Sequence, residues 1–286
     1  MTIRSLGLGD PAYPALLRHV PDPPARLWLR GDGDPSILDR TALAVVGARA
    51  CSGYGRTVAR LLAGEAAALG VVVVSGLARG IDGEAHRAAL AVGGTTVAVL
   101  GCGVDRDYPA AHAELARSIL AAGGLVVSEY EPGIGPAPWR FPARNRIIAG
   151  LARATVVVEA RERSGALITA DFALEDGREV LAVPGEVTSA LSRGTNALLR
   201  LGATPATSAA DVLEALGVEV RPAAVVPDDP AAAAVLEALA EGASTLDELG
   251  RRCALEPGRL AGALALLELE SLVVVDDGVV RRSGGA

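Results

Sequence analysis

Between residues 41 and about 190 the chain alternates short, uninterrupted β-branched runs with alanine-rich helical stretches, and no other feature constrains its fold as strongly. The apolar runs are ALAVVG (42–47), VVVVSG (71–76), TVAVLG (96–101), LVVSE (125–129), TVVVEA (155–160) and VLAVPG (180–185), and the main helical stretches between them lie at 54–69, 82–92, 110–122 and 165–176. Strands that do not alternate apolar with polar residues are covered on both faces, which points to a parallel sheet flanked by helices. Right-handed crossovers then predict an α/β fold with an extended, Rossmann-like, doubly wound and mostly parallel sheet.

The remaining segments divide the chain. Residues 1–40 hold proline-rich turns and read as an N-terminal arm, 41–217 as the Rossmann-like domain and 218–229 (VEVRPAAVVPDD) as a linker. Residues 230–286 contain three short helical segments followed by VVVDDGVVRR, a hairpin with an Asp-Gly turn, which together predict a small C-terminal winged-helix domain. A length of 286 residues suits one large domain with a smaller companion.

Composition excludes several chemistries. All 27 basic residues are arginine, so the GK[ST] ending of a Walker phosphate loop is absent, and so are Schiff-base and general-base lysines. Any phosphate must be met by arginine, a backbone amide or a hydroxyl; arginine suits this, because its fork grips phosphate with two hydrogen bonds and its plane stacks on bases. Cys51, Cys102 and Cys253 are far apart with no CxxC pair, which argues against a disulfide scaffold or a cysteine-ligated metal and for a reducing, cytoplasmic setting. No block of apolar residues is long enough to span a bilayer, and the N-terminus lacks a secretory apolar core, so no membrane partner is expected.

Charge is divided unevenly. Residues 228–286 carry eleven acidic residues and five arginines, a net charge of −6, while the rest of the chain is close to neutral. The expected recognition helix, Glu256 to Glu270, has one arginine against three glutamates. Phosphate would repel such a face, so the winged helix reads as a protein-contact or structural element rather than a DNA reader.

Ligands of doubly wound sheets bind outside the carboxyl ends of the strands. The first such loop, VVGARACSGYG (45–55), places Gly47, Gly53 and Gly55 at the wrong spacing for GxGxxG, and the second strand ends in Ser75-Gly76 rather than the acid that holds a ribose. A dinucleotide reading therefore loses both of its signatures. In SGLARGIDGEAH, Asp82 is expected to cap the following helix and His86 to be a satisfied structural partner, since no third ligand stands at metal-binding spacing. The segment 139–163 carries a local charge of +4, with Arg140, Arg144, Arg146, Arg153, Arg161 and Arg163. A helix is expected to start near Ala143 or Arg144, where cations oppose the helix dipole unless an anion sits there. Trp139 and Phe141 offer faces for base stacking or anchors for the core, and Asn145 could meet a base edge. No triad, HExxH or paired-carboxylate pattern supports catalysis.

Read together and in order, VVGARACSGYG, VVSGLARGIDGEAH, LGCGVDRDYP, SEYEPGIGPAPWRFPARNRIIAGLA, VVEARERSGALITA and VPGEVTSALSRGTNALLRLGA resemble the DNA-processing protein A (DprA/Smf) family over roughly residues 10–205. The resemblance implies a homodimer that binds single-stranded DNA, protects incoming DNA in natural transformation and helps load the RecA recombinase. It implies no enzymatic turnover and no cofactor. Carried onto this chain, the DNA-binding residues would be Gly47, Arg49, Ser75, Gly76, Phe141, Arg144 and Asn145. The arginine cluster adds Arg140, standing where relatives often carry lysine, and Arg146. Two other readings stay open: a nucleotide-processing enzyme on the same fold, and an adaptor that works through its acidic winged helix.

Overall fold

The computed structural model describes residues 2–218, 229–242, 244–269, 272–276 and 278–282. They fall into two compact units, Met1–Glu219 and Val220–Ala286.

The first unit is built on a nine-stranded sheet. Its strands are β1 (Ile3–Gly7), β2 (Arg26–Arg30), β3 (Ala42–Val46), β4 (Val72–Ser75), β5 (Thr96–Val99), β6 (Leu125–Ser128), β7 (Ala154–Val157), β8 (Glu179–Ala182) and β9 (Thr204–Pro205). The spatial order is β1-β2-β6-β5-β4-β3-β7-β8-β9, parallel from β6 through β9. Strands β3 to β7 are buried along their whole length, as the uninterrupted apolar runs require. The chain leaves the centre in one direction through β4, β5 and β6 and in the other through β7, β8 and β9, so the topological switch point lies between β3 and β7.

Residues 1–40 correct the expectation of an arm. After the single turn α1 (Ala15–Arg18), β2 returns antiparallel to β1 and also pairs antiparallel with β6, so this segment extends the sheet at that end. In RLWLR the buried Leu27 and Leu29 alternate with more exposed residues, as a strand covered on one face demands.

The main helices that follow are α2 (Gly53–Ala68), α3 (Ile81–Ala91), α4 (Ala113–Ala121), α5 (Arg140–Gly150), α6 (Gly165–Glu175), α7 (Arg193–Arg200) and α8 (Ala209–Ala215). Apolar faces of α5, α6 and α7 share one core with the sheet, and those of α2, α3 and α8 share another. Helix α5 begins at Arg140, a turn earlier than expected, because Pro142 is tolerated in a first turn where its missing N–H is not needed. No helix among the described residues is long and apolar enough to cross a membrane.

The second unit contains α9 (Pro230–Ala238), α10 (Leu246–Cys253) and α11 (Pro257–Leu269), with strands β10 (Ser244–Thr245), β11 (Val273–Asp276) and β12 (Val279–Arg282) in the order β10-β12-β11. Its own core gathers Val235, Leu249, Leu260, Leu264, Leu267, Val273 and Val280. Three helices closed by a small antiparallel sheet form a winged helix. The linker residues 219–228, Glu270 and Asp277 of the predicted Asp-Gly turn lie outside the described residues.

Candidate nucleic-acid interface

At the carboxyl end of β3 the chain turns through Gly47, Ala48 and Arg49, directly at the switch point. Facing it are the loop 76–80 after β4, the first turn of α5 and the start of α6. These elements enclose a cavity of about 360 Å³ lined by, among others, Gly47, Arg49, Asp82, Phe141, Arg144, Asn145 and Ser164. A second hollow of about 240 Å³ adjoins it, sharing Arg49, Ala78, Phe141 and Arg144 and adding Arg79 and Tyr108. The topology therefore brings Gly47, Arg49, Gly76, Phe141, Arg144 and Asn145 to one cleft, although they come from three separate motifs.

The loop 76–80 owes its shape to strain and close approach. Leu77 is buried at φ +56, an unusual state for a side chain that bulky, and Gly80 sits at φ +75. A Cβ on Gly80 would fall 2.1 Å from the Ala48 carbonyl oxygen, so the two loops touch backbone to backbone. Asp82 holds this arrangement: its Oδ2 accepts from the amides of Gly76 (3.1 Å) and Ala78 (3.3 Å). That corrects the expectation that it caps α3, whose N-cap is Gly80. Burial pushes the Asp82 carboxyl up, with Arg144 working against that shift.

Arg144 is itself inside the protein, at 4% exposure. Its Nη1 donates to the carbonyls of Gly76 (2.7 Å) and Val99, and its Nε to Asn145 Oδ1 (3.2 Å). A Cβ on Gly76 would meet the guanidinium at 2.5 Å, so any larger residue there would push Arg144 out of its place. Burial lowers its pKa to about 10 even though Asp82 favours the charge. Asn145 in turn donates through Nδ2 to the Gly165 carbonyl (2.9 Å), tying α5 to the start of α6.

Three expected contact residues already hold partners within the protein. Ser75 is fully buried and its hydroxyl donates to the Val45 carbonyl at 2.6 Å. Arg146 forks onto Glu129 (3.0 and 2.8 Å) and donates through Nε to Asp22 (3.0 Å). The third is Arg144, which donates through Nη1 and Nε to protein acceptors while also lining both hollows. Arg140 donates to the Gly135 carbonyl while its guanidinium lies over Trp139 and Tyr130. Arg49, by contrast, is exposed, with its guanidinium 5.6 Å from the centre of the Phe141 ring. Phe141 also stacks on Tyr108 at 5.3 Å and 25°.

Arg79 and Tyr108 border the cleft without having been singled out in the sequence. The signal was available: Arg79 is the only charged residue inside SGLARG, and Tyr108 is the only aromatic residue of LGCGVDRDYP. Glu159 was also missed. Its carboxylate accepts from the Ser52 amide (2.9 Å) and from the Ser52 hydroxyl, which in turn accepts from the Gly55 amide (3.0 Å). The N-terminus of α2, where a dinucleotide fold places its pyrophosphate, is thus occupied by the protein's own anion. His86 is buried and neutral, held at about 3, with Nδ1 donating to the Thr96 hydroxyl at 2.7 Å.

Comparison with known proteins agrees with this architecture. Residues 4–217 match the family described as DNA recombination-mediator protein A, and residues 219–279 match the DprA winged helix domain. A DNA processing protein DprA of Streptococcus pneumoniae is 46% identical over 210 residues, 73% of this chain and 73% of that protein. The X-ray structure of DNA processing protein A from that organism matches with a TM-score of 0.69 and 44% identity, covering 75% of this chain and 74% of the other. The structure of the Helicobacter pylori protein, described for its single-stranded DNA binding mode, matches with a TM-score of 0.67 and 29% identity over 76% of this chain and 96% of the other.

Proposed function

The chain belongs to the DNA recombination-mediator protein A family, and we propose that it grips single-stranded DNA in the switch-point cleft without cutting it. The observation that carries this reading is the pair of exposed guanidiniums, Arg49 and Arg79, on a cleft walled by aromatic rings. Single strands expose phosphates and unstacked bases together, and such a cleft meets both without reading sequence. A cavity of about 360 Å³ accepts one nucleotide unit at a time.

Within this reading the expected residues divide by role. Gly47, Arg49 and Phe141 face the strand, and Arg140 lies at its border. Ser75, Gly76, Arg144, Asn145 and Arg146 hold the loops that shape the cleft. The same reading extends to a cytoplasmic homodimer, two clefts on one strand raising the effective concentration of each. It also includes protection of incoming DNA and hand-over to RecA, with 218–229 as a linker to the winged helix.

Titration of a fluorescent oligothymidylate by anisotropy at several salt concentrations tests it. Single strands should bind far more tightly than the matching duplex. Arg49→Ala should weaken binding and lower the slope of log affinity against log salt by about 0.7 for each phosphate that the guanidinium neutralises. Equal affinity for single strand and duplex, together with an unaltered slope for Arg49→Ala, would refute the cleft. The single-nucleotide volume also suits a nucleotide-processing enzyme; turnover of a nucleotide by the purified chain would favour that second reading.

A further inference from the structure

We propose that Trp139 is a second base-stacking platform, onto which a strand leaving the cleft at Phe141 lays its next base; this rests on reading the cleft as a single-strand site. The chain has two tryptophans. Trp28 is half-buried in β2, whereas Trp139 is 62% exposed.

The exposed ring is braced. Tyr130 meets it nearly edge-on, with centroids 6.3 Å apart at 85°. The Arg140 guanidinium lies 4.8 Å from the Trp139 centroid and 5.0 Å from that of Tyr130, anchored by its hydrogen bond to the Gly135 carbonyl. The indole is therefore backed by a cation, while the residue stays 62% exposed. A braced, half-open indole loses little freedom when a flat partner settles on it, the property that makes a stacking site effective.

Phe141 offers less. Its ring is stacked on Tyr108 and approached by Arg49, so a base reaches it only by displacing one of them. Trp139 needs no displacement. Two Cα–Cα steps separate these residues, so their backbones lie within about 7.6 Å and both rings flank the N-terminal turn of α5. Residues two apart on a helix point to different sides, so the intervening phosphate would pass the N-terminal turn of α5, beside Arg140 and at the positive end of the helix.

The test uses the full chain with Trp28→Phe, which leaves Trp139 as its only tryptophan. Titration with a long oligothymidylate should quench indole emission in step with the rise in anisotropy. Trp139→Ala should weaken binding of the long oligonucleotide about 5- to 150-fold, the range that one stacked base contributes. Binding of thymidine 5′-monophosphate should be unchanged, and Trp139→Tyr should restore most of the affinity. Anisotropy that rises without any quenching, with Trp139→Ala retaining full affinity, would overturn the platform and leave the cleft standing. No anisotropy change for any single strand would overturn both.

Discussion

Replacing Arg144 with alanine separates an organising role from a phosphate-contacting one. The side chain is buried, donates to the Gly76 and Val99 carbonyls and faces Asp82. Its removal leaves those carbonyls without a donor at about 1–3 kcal/mol for each buried group unsatisfied. It also removes the positive charge that favours the ionised Asp82 carboxyl, which keeps its hydrogen bonds from the Gly76 and Ala78 amides. Two unsatisfied carbonyls at that cost make about 2–6 kcal/mol the expected total. At roughly 2–4 °C per kcal/mol for a unit of this size, the melting temperature should fall by about 4–24 °C. Most domains keep about 5–15 kcal/mol, so the variant should fold at low temperature with the loop 76–80 released and oligothymidylate affinity reduced. Arg49→Ala, at an exposed position, should lose affinity with little change in melting. Thermal unfolding followed by far-ultraviolet circular dichroism, paired with anisotropy, reads both. If Arg144→Ala melted within about 2 °C of the parent and still failed to bind, the guanidinium would be a ligand contact and the inward network would not be what holds the loop.

Other outcomes follow from the same geometry. Gly80→Ala must place a Cβ 2.1 Å from the Ala48 carbonyl oxygen at φ +75, so it should destabilise the fold by more than about 1–2 kcal/mol in urea unfolding and weaken oligothymidylate binding. His86 holds its proton only below about pH 3 when folded, against an ordinary value of 6.5. The unfolded chain therefore protonates first, and stability should be full above pH 6.5 and drain as pH falls toward 3, by up to roughly 4–5 kcal/mol. Asp82, whose pKa is raised, acts in the opposite sense at low pH; His86→Gln should flatten the acid loss, and urea midpoints at pH 7, 5 and 4 would show whether it does. Arg146→Ala should lower the melting temperature while leaving the salt slope of DNA binding unchanged, because its fork is already closed on Glu129.

Much of this protein is legible in local sequence. The uninterrupted runs at 42–47, 71–76 and 96–101 became the buried strands β3, β4 and β5, each shortened by one or two residues at its ends. Strand character in a doubly covered sheet is written in consecutive side chains, so neighbouring residues suffice to reveal it. The strands β1 and β2 escaped notice because they lie toward the margin of the sheet, where apolar positions alternate and proline-rich turns dominate the surrounding segment. The early start of α5 was hidden because WRFP offers no capping side chain.

Proximity to the cleft could be anticipated for the motif residues, but what each side chain does there depends on partners far away in the chain. Arg144 donates to carbonyls 68 and 45 residues distant, and Arg146 is paired with carboxylates 17 and 124 residues distant. Arg49, with the same charge and an equally motif-bound position, is left exposed at the cleft. A guanidinium looks alike in any sequence; whether it is a donor to the protein or to a ligand is decided only when crossovers bring an acceptor within about 3 Å or fail to.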